Sequence, residues 1–164
     1  MRHFIIPMFA FTHPKGAYTT NIALVNRKRG MPPKLAQWEG ALSLFGGAAQ
    51  EGETPRQTIH REVIVEGELG HLAQTPGIYA ATAEYAGFTA TPFFCTQPWT
   101  QQLYREFAAT CDEGILDWVQ ANSTDWLAGP WGYPDMLDAV LDAMAGFSLH
   151  QKHMTEYALP GTKE

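Results

Sequence analysis

Residues 44–70 read LFGGAAQEGETPRQTIHREVIVEGELG, and this stretch decides how the rest of the chain is understood. It opens on Gly46 and Gly47, which let the backbone turn sharply and approach a ligand closely. Pro55 then suits the first turn of a helix, and no breaker follows until Gly67. A helix is predicted over 54–66, with Ile59 and Val63 toward a core and its positive N-terminal end near the glycines. Glu62 and Glu66, four residues apart, then project from one face within reach of a single cation. A lone acidic pair is usually a solvated helix face, and a lone glycine pair usually a turn; joined in one unit, they suit the handling of phosphate. Hard carboxylate oxygens favour Mg2+ or Mn2+.

Outward from this unit, residues 3–11 and 20–28 are apolar or β-favouring, with Pro14 and Gly16 between them as turn formers. Residues 36–45 read as a short strand leading into the glycine pair. Further strands are predicted at 77–85, 88–96 and 115–119. An amphipathic helix is predicted over 135–144, with Met136, Leu137, Val140, Leu141 and Met144 on one side. This order predicts an α/β layer arrangement with a mixed sheet. One domain over 1–147 is expected, followed by a loosely ordered tail at 148–164.

The chain has 164 residues, 45% hydrophobic and 17% charged, with a formal net charge of -6. That size allows one substantial core. The acidic balance argues against nucleic acid and against anionic membranes as partners. The apolar run after Arg2 is short and broken by Pro7, so it reads as a strand rather than a signal peptide. Cys95 and Cys111 show no metal-ligand spacing and are expected to be reduced thiols in a cytoplasmic protein. The histidines show no metal spacing either.

Gly47, Glu53, Arg61, Glu62, the apolar Val63 and Glu66 fit the pattern G-x5-E-x7-R-E-U-x-E-E-x-G-U, with U apolar. In these residues the chain resembles the Nudix hydrolase family, closely over 47–69 and more loosely, by strand order, over 5–144. The resemblance implies a Nudix-like α/β/α sandwich with a mixed sheet. It further implies a pyrophosphohydrolase dependent on Mg2+ or Mn2+, cleaving a phosphoanhydride in a nucleoside diphosphate linked to another moiety: a nucleoside triphosphate, a nucleotide sugar or a dinucleotide.

The same resemblance assigns roles. Glu62 and Glu66 are the metal ligands, while Glu53 and Arg61 form a charge pair that fixes the loop to the helix. A carboxylate from outside the pattern, with Glu113 the best match beside Asp112 and Asp117, is a metal ligand or general base. For a small-molecule nucleotide substrate the candidates are Gly46, Gly47, Trp38 and Arg27, with Tyr18, Tyr79, Tyr85 and Trp131 as further rings for stacking on a base. Nothing in the sequence names the substrate, and a homodimer is left open.

Two positions depart from the pattern. Val65 stands where the family has Glu, which implies one ligand fewer. Glu68 stands where the family has Gly; Gly67 or Gly70 is expected to end the helix instead, and on an undistorted helix Glu68 points away from Glu62 and Glu66. A rival expectation follows from Val65: a Nudix domain that binds a nucleotide as a sensor or regulator, without turnover.

Overall fold

The apolar run after Arg2 becomes β1 (Arg2–Thr12), buried from His3 to Phe9, and β2 (Thr19–Arg27) is buried from Thr20 to Asn26. Strands covered on both faces need continuous apolar sequence, and these two have it. The computed structural model describes residues 1–16, 18–112 and 114–157.

β1 pairs antiparallel with β2 from Met8–Ala23 to Thr12–Thr19, and parallel with β7 (Phe88–Cys95) from Arg2–Phe88 to Met8–Phe94. On β7 lie β5 (Gly77–Tyr79) and β6 (Ala83–Tyr85), both antiparallel, and on the far edge of β2 lies β8 (Ile115–Gln120). The sheet is therefore mixed, as the sequence predicts.

At the start of β1 the two central strands part company, and the segment 42–48 fills the split. β3 (Leu42–Ser43) pairs with the end of β2, while β4 (Phe45–Ala48) pairs with the start of β1. Gly46 and Gly47 therefore sit inside a strand at the mouth of this split, not in a free loop.

Helices cover both faces. Ile5, Phe9, Ile22, Leu24 and Phe45 pack with α1 (Pro55–Ile59) and α2 (Gln101–Thr110) through Ile59, Val63, Leu103 and Phe107. Phe4, Ile6, Met8, Ala23 and Val25 pack with α3 (Met136–Tyr157) through Met136, Ala139, Val140, Ala143, Met144 and Phe147. The arrangement is an α/β/α sandwich.

Several elements differ from the sequence reading. Residues 36–45 are not one strand: Pro33–Trp38 forms 3-10 turns started by prolines, and the chain reverses at Gly40 before β3. The strand predicted over 77–85 is divided into β5 and β6. Helix α2 is absent from the reading, although Thr100 caps it by accepting from the Leu103 amide, and Leu103 and Phe107 face the core. The last helix does not stop at Met144. With no proline within 136–157 it runs to Tyr157, held by an Asn21 to Ser148 hydrogen bond of 2.6 Å and by His150 against the Phe94 ring. Residues 148–157 of the expected loose tail are thus helical, and 158–164 lie outside the described residues. Leu141, predicted on the buried side, is exposed, because Ala139, Ala143 and Phe147 complete the inner face. Among the described residues no helix is long and apolar enough to cross a membrane.

Candidate functional site

The helix of the 44–70 unit begins where the sequence places it. The Thr54 side chain accepts from the Gln57 amide, and the Gln57 side chain accepts from the Thr54 amide, a reciprocal cap that satisfies two donors at the helix start. After one turn the hydrogen bonding widens: His60–Val65 is a π-helical turn, with the Glu66 amide donating to the Arg61 carbonyl. Such turns occur mostly as single bulges, often at functional sites. Gly67, at φ +86°, ends the helix, and the Leu69 amide returns to the Val63 carbonyl.

In front of the helix, Glu53 is fully engaged. Its Oε1 accepts from the Gln50 amide at 2.7 Å, Arg61 Nη2 at 2.9 Å and Thr58 Oγ1 at 3.0 Å, and its Oε2 accepts from Arg61 Nε at 2.8 Å. The Arg61 guanidinium, with help from the Gln50 amide and the Thr58 hydroxyl, holds this carboxyl down at about 2. Arg61 itself is pushed further above its usual range, first by Glu53, and its Nη2 also donates to the Ala48 carbonyl at 3.0 Å. Loop, strand β4 and helix are therefore tied together by one bidentate charge pair.

The two carboxylates four residues apart converge on the remaining nitrogen of the same guanidinium. Glu62 Oε1 lies 3.1 Å from Arg61 Nη1, and Glu66 Oε2 lies 3.7 Å from it. Glu62 is 26% exposed and Glu66 55% exposed. Glu62 also lies flat against Gly47, where an added Cβ would stand 2.7 Å from its carboxyl carbon. Gly47 is thus required for space, and Gly46 for both space and conformation: its φ is +148°, and a Cβ would collide with the His3 carbonyl.

At the far end of the unit, Val65 is 68% exposed, so it packs against nothing that fixes it to the core. Glu68 does the reverse of what an undistorted helix predicts. Only 4% exposed, it folds back so that Oε1 accepts from the Gly46 amide at 3.0 Å. An isolated bridge between Leu69 and Cys111 and a 3.4 Å bond from the Asp112 amide to the Glu68 carbonyl join this end to the segment before β8. The Asp112 carboxylate lies beside Gly67. Glu113 lies outside the described residues.

A cleft of about 260 Å³ opens at the mouth of the strand split. Trp38 and Tyr133, edge to face at 5.6 Å, form its aromatic wall; Gly46, Ser43 and Leu44 form its floor; Arg2 and Lys28 supply positive charge. Arg27 does not line it. Its guanidinium donates to Asp117 at 2.9 and 3.1 Å and to the Gly40 carbonyl, so Arg27 and Asp117 satisfy one another along β2 and β8. Tyr85 donates to Asp142 and stacks on Phe88, and Trp131 donates to the Trp126 carbonyl, so both rings serve packing. Tyr79 lies under the Arg56 guanidinium, 3.8 Å from the ring centre, and Tyr18 stacks on His13.

The structure brings Gly46, Gly47, Glu53, Arg61, Glu62 and Glu66 into one connected unit, with Trp38 against its floor. Sequence reading misses Tyr133, which reaches Trp38 only through the tertiary fold, and discounts Glu68. Among the described residues no three His, Cys, Asp or Glu side chains gather as a metal-binding group.

No family model matches the chain, and no curated protein matches it in sequence. Solved structures do. A MutT/Nudix family protein from Listeria innocua matches with a TM-score of 0.59 at 18% identity, over 90% of this chain and 95% of that one. The chain has that fold. A MutT/Nudix family protein from Enterococcus faecalis matches at a TM-score of 0.40 and 10% identity, over 73% of this chain and 42% of that one. The E. coli ORF135 protein matches at 0.40 and 17%, over 88% and 94%.

Proposed function

We propose that this chain is a hydrolase of the Nudix type, dependent on Mg2+ or Mn2+, that cleaves a phosphoanhydride in a compound built on a nucleoside diphosphate. The observation that supports it best is the convergence of Glu62 and Glu66 on a single cationic nitrogen, Arg61 Nη1, behind a loop that Glu53 and Arg61 brace. Two accessible hard-oxygen donors turned toward one cation fit a six-coordinate Mg2+ or Mn2+ that retains several waters. Glu62 and Glu66 would hold the ion, which when bound supplies charge neutralisation for the diphosphate and acidifies water.

The protein's own groups do the rest. Glu53 and Arg61 hold the strand and helix in register, so that Glu62 keeps its place against Gly47 without reorganising when substrate arrives. Lys28 and Arg2, lining the cleft, attract an anionic substrate to a protein whose overall charge repels it. Trp38 and Tyr133 offer flat faces to a base. Arg27, paired with Asp117, lies outside the cleft. The bridge between Leu69 and Cys111 ties the helix end to the segment that leads to Asp112, and Glu113, next in sequence, is the candidate general base.

The test is a panel of nucleoside triphosphates, nucleotide sugars and dinucleotides, incubated with protein and Mg2+ or Mn2+ and resolved by chromatography. Cleavage of at least one at a phosphoanhydride, abolished by EDTA, is expected. Tight binding of one compound with turnover of none would favour the sensor; turnover undiminished in EDTA would sink the metal assignment.

A further inference from the structure

A buried carboxylate is costly unless it is hydrogen-bonded in place, and such groups concentrate where a protein needs a fixed geometry. Glu68 is such a group. It is 4% exposed, and its Oε1 holds the Gly46 amide at 3.0 Å. Gly46 is the residue of β4 whose backbone is least free to be replaced, with φ +148° and the His3 carbonyl where a Cβ would be. The next residue, Gly47, is the surface on which the Glu62 carboxylate rests. Glu68 therefore anchors the peptide that places Gly47, and Gly47 places Glu62.

The local chain is bent to make this reach. The π-helical turn His60–Val65 and the left-handed Gly67 swing Glu68 back beneath the strand, and the bridge between Leu69 and Cys111 holds it there. Val65, meanwhile, is turned to solvent.

We propose that Glu68 is a positioning residue of the cation site: by fixing the Gly46 amide it holds Gly47, and through Gly47 the Glu62 carboxylate, in the orientation that binds the divalent ion. This rests on the reading of Glu62 and Glu66 as the cation's carboxylates. Glu68 acts by reach and hydrogen bonding, not by lending its charge to the ion.

Two substitutions separate these roles. Glu68→Gln keeps the length and an acceptor oxygen but removes the charge; Glu68→Asp keeps the charge but falls short of the amide. Mn2+ is titrated calorimetrically into the native protein, both variants and Glu62→Gln, with thermal melts in EDTA reporting folding separately, and the Mg2+ requirement of turnover is measured where a substrate is in hand. Glu68→Gln is expected to bind Mn2+ close to the native affinity, and Glu68→Asp about tenfold more weakly, the loss of one hydrogen bond to a charged group. Native-like binding by Glu68→Asp beside impaired Glu68→Gln would overturn the proposal and make Glu68 a charge partner of the ion. Native-like binding by both, with Glu62→Gln impaired, would overturn it and leave the cation site standing. If Glu62→Gln also binds as the native protein does, the site assignment itself falls, and this proposal with it.

Discussion

The two ends of the 44–70 unit are bonded in opposite ways. At the front, Glu53 spends both oxygens on Arg61, Thr58 and the Gln50 amide, and Thr54 closes the helix cap. At the back, Glu66 stands mostly in solvent with a single 3.7 Å approach to Arg61, and Val65 is bare. Glu62 lies between, half committed to Arg61 and seated on Gly47. A carboxylate whose acceptors are all used stabilises the fold, whereas one left with accessible oxygens can receive an outside cation. By that measure Glu53 and the buried Glu68 belong to the scaffold, while Glu62 and Glu66 keep oxygens that an outside cation can reach.

The sharpest way to break this division is Glu62→Gln. It should lower turnover about 10²- to 10³-fold, as loss of a charged group at the reacting centre does. The melting temperature should stay near that of the native protein. A large fall in stability with little change in rate would move Glu62 to the scaffold.

Gly47→Ala probes the seam between the two ends. The added methyl displaces the Glu62 carboxylate, and a small misplacement of this kind should lower turnover about tenfold to a hundredfold. Unchanged kinetics in a folded variant would show that Glu62 does not need this seat.

A smaller effect lies in acid. The Glu53 carboxyl is held at about 2, below its unfolded value of 4.5, so the ionised form favours the folded state. That contribution is complete above pH 4.5 and is lost as pH falls toward about 2. The gap in melting temperature between the native protein and Glu53→Gln should be full at neutral pH and close across this window. A gap that persists below it would mean the carboxylate charge is not what braces the loop.

Val65→Glu should disturb the fold least. Because the side chain is exposed, stability should change by no more than about 0.5 kcal/mol. A new carboxylate one residue before Glu66 should lower the Mg2+ concentration needed for turnover. Thermal melts and Mg2+ titration read the two effects apart, and a marked loss of stability would show that position 65 is not at the open end.

How much of this could be read from the sequence follows the same division. Thr54, Pro55 and the spacing of Glu53 and Arg61 are local signals, and they place the helix start and the brace correctly. Leu103 and Phe107 behind Thr100 carry an equally local signal for α2. The back of the unit could not be read this way. The π-helical turn, the swing at Gly67 and the burial of Glu68 depend on the bridge from Leu69 to Cys111, which no helical period contains. The same is true of the aromatic wall, since Trp38 and Tyr133 meet only when residues 130–132 pair with Leu42.

The most direct test of the back end as a cation site is to count bound Mn2+ by electron paramagnetic resonance in the native protein and in Glu62→Gln/Glu66→Gln. The native protein is expected to bind Mn2+ saturably, and the double variant to lose that binding while its thermal melt in EDTA stays native-like. Equal Mn2+ binding by both proteins would contradict this assignment.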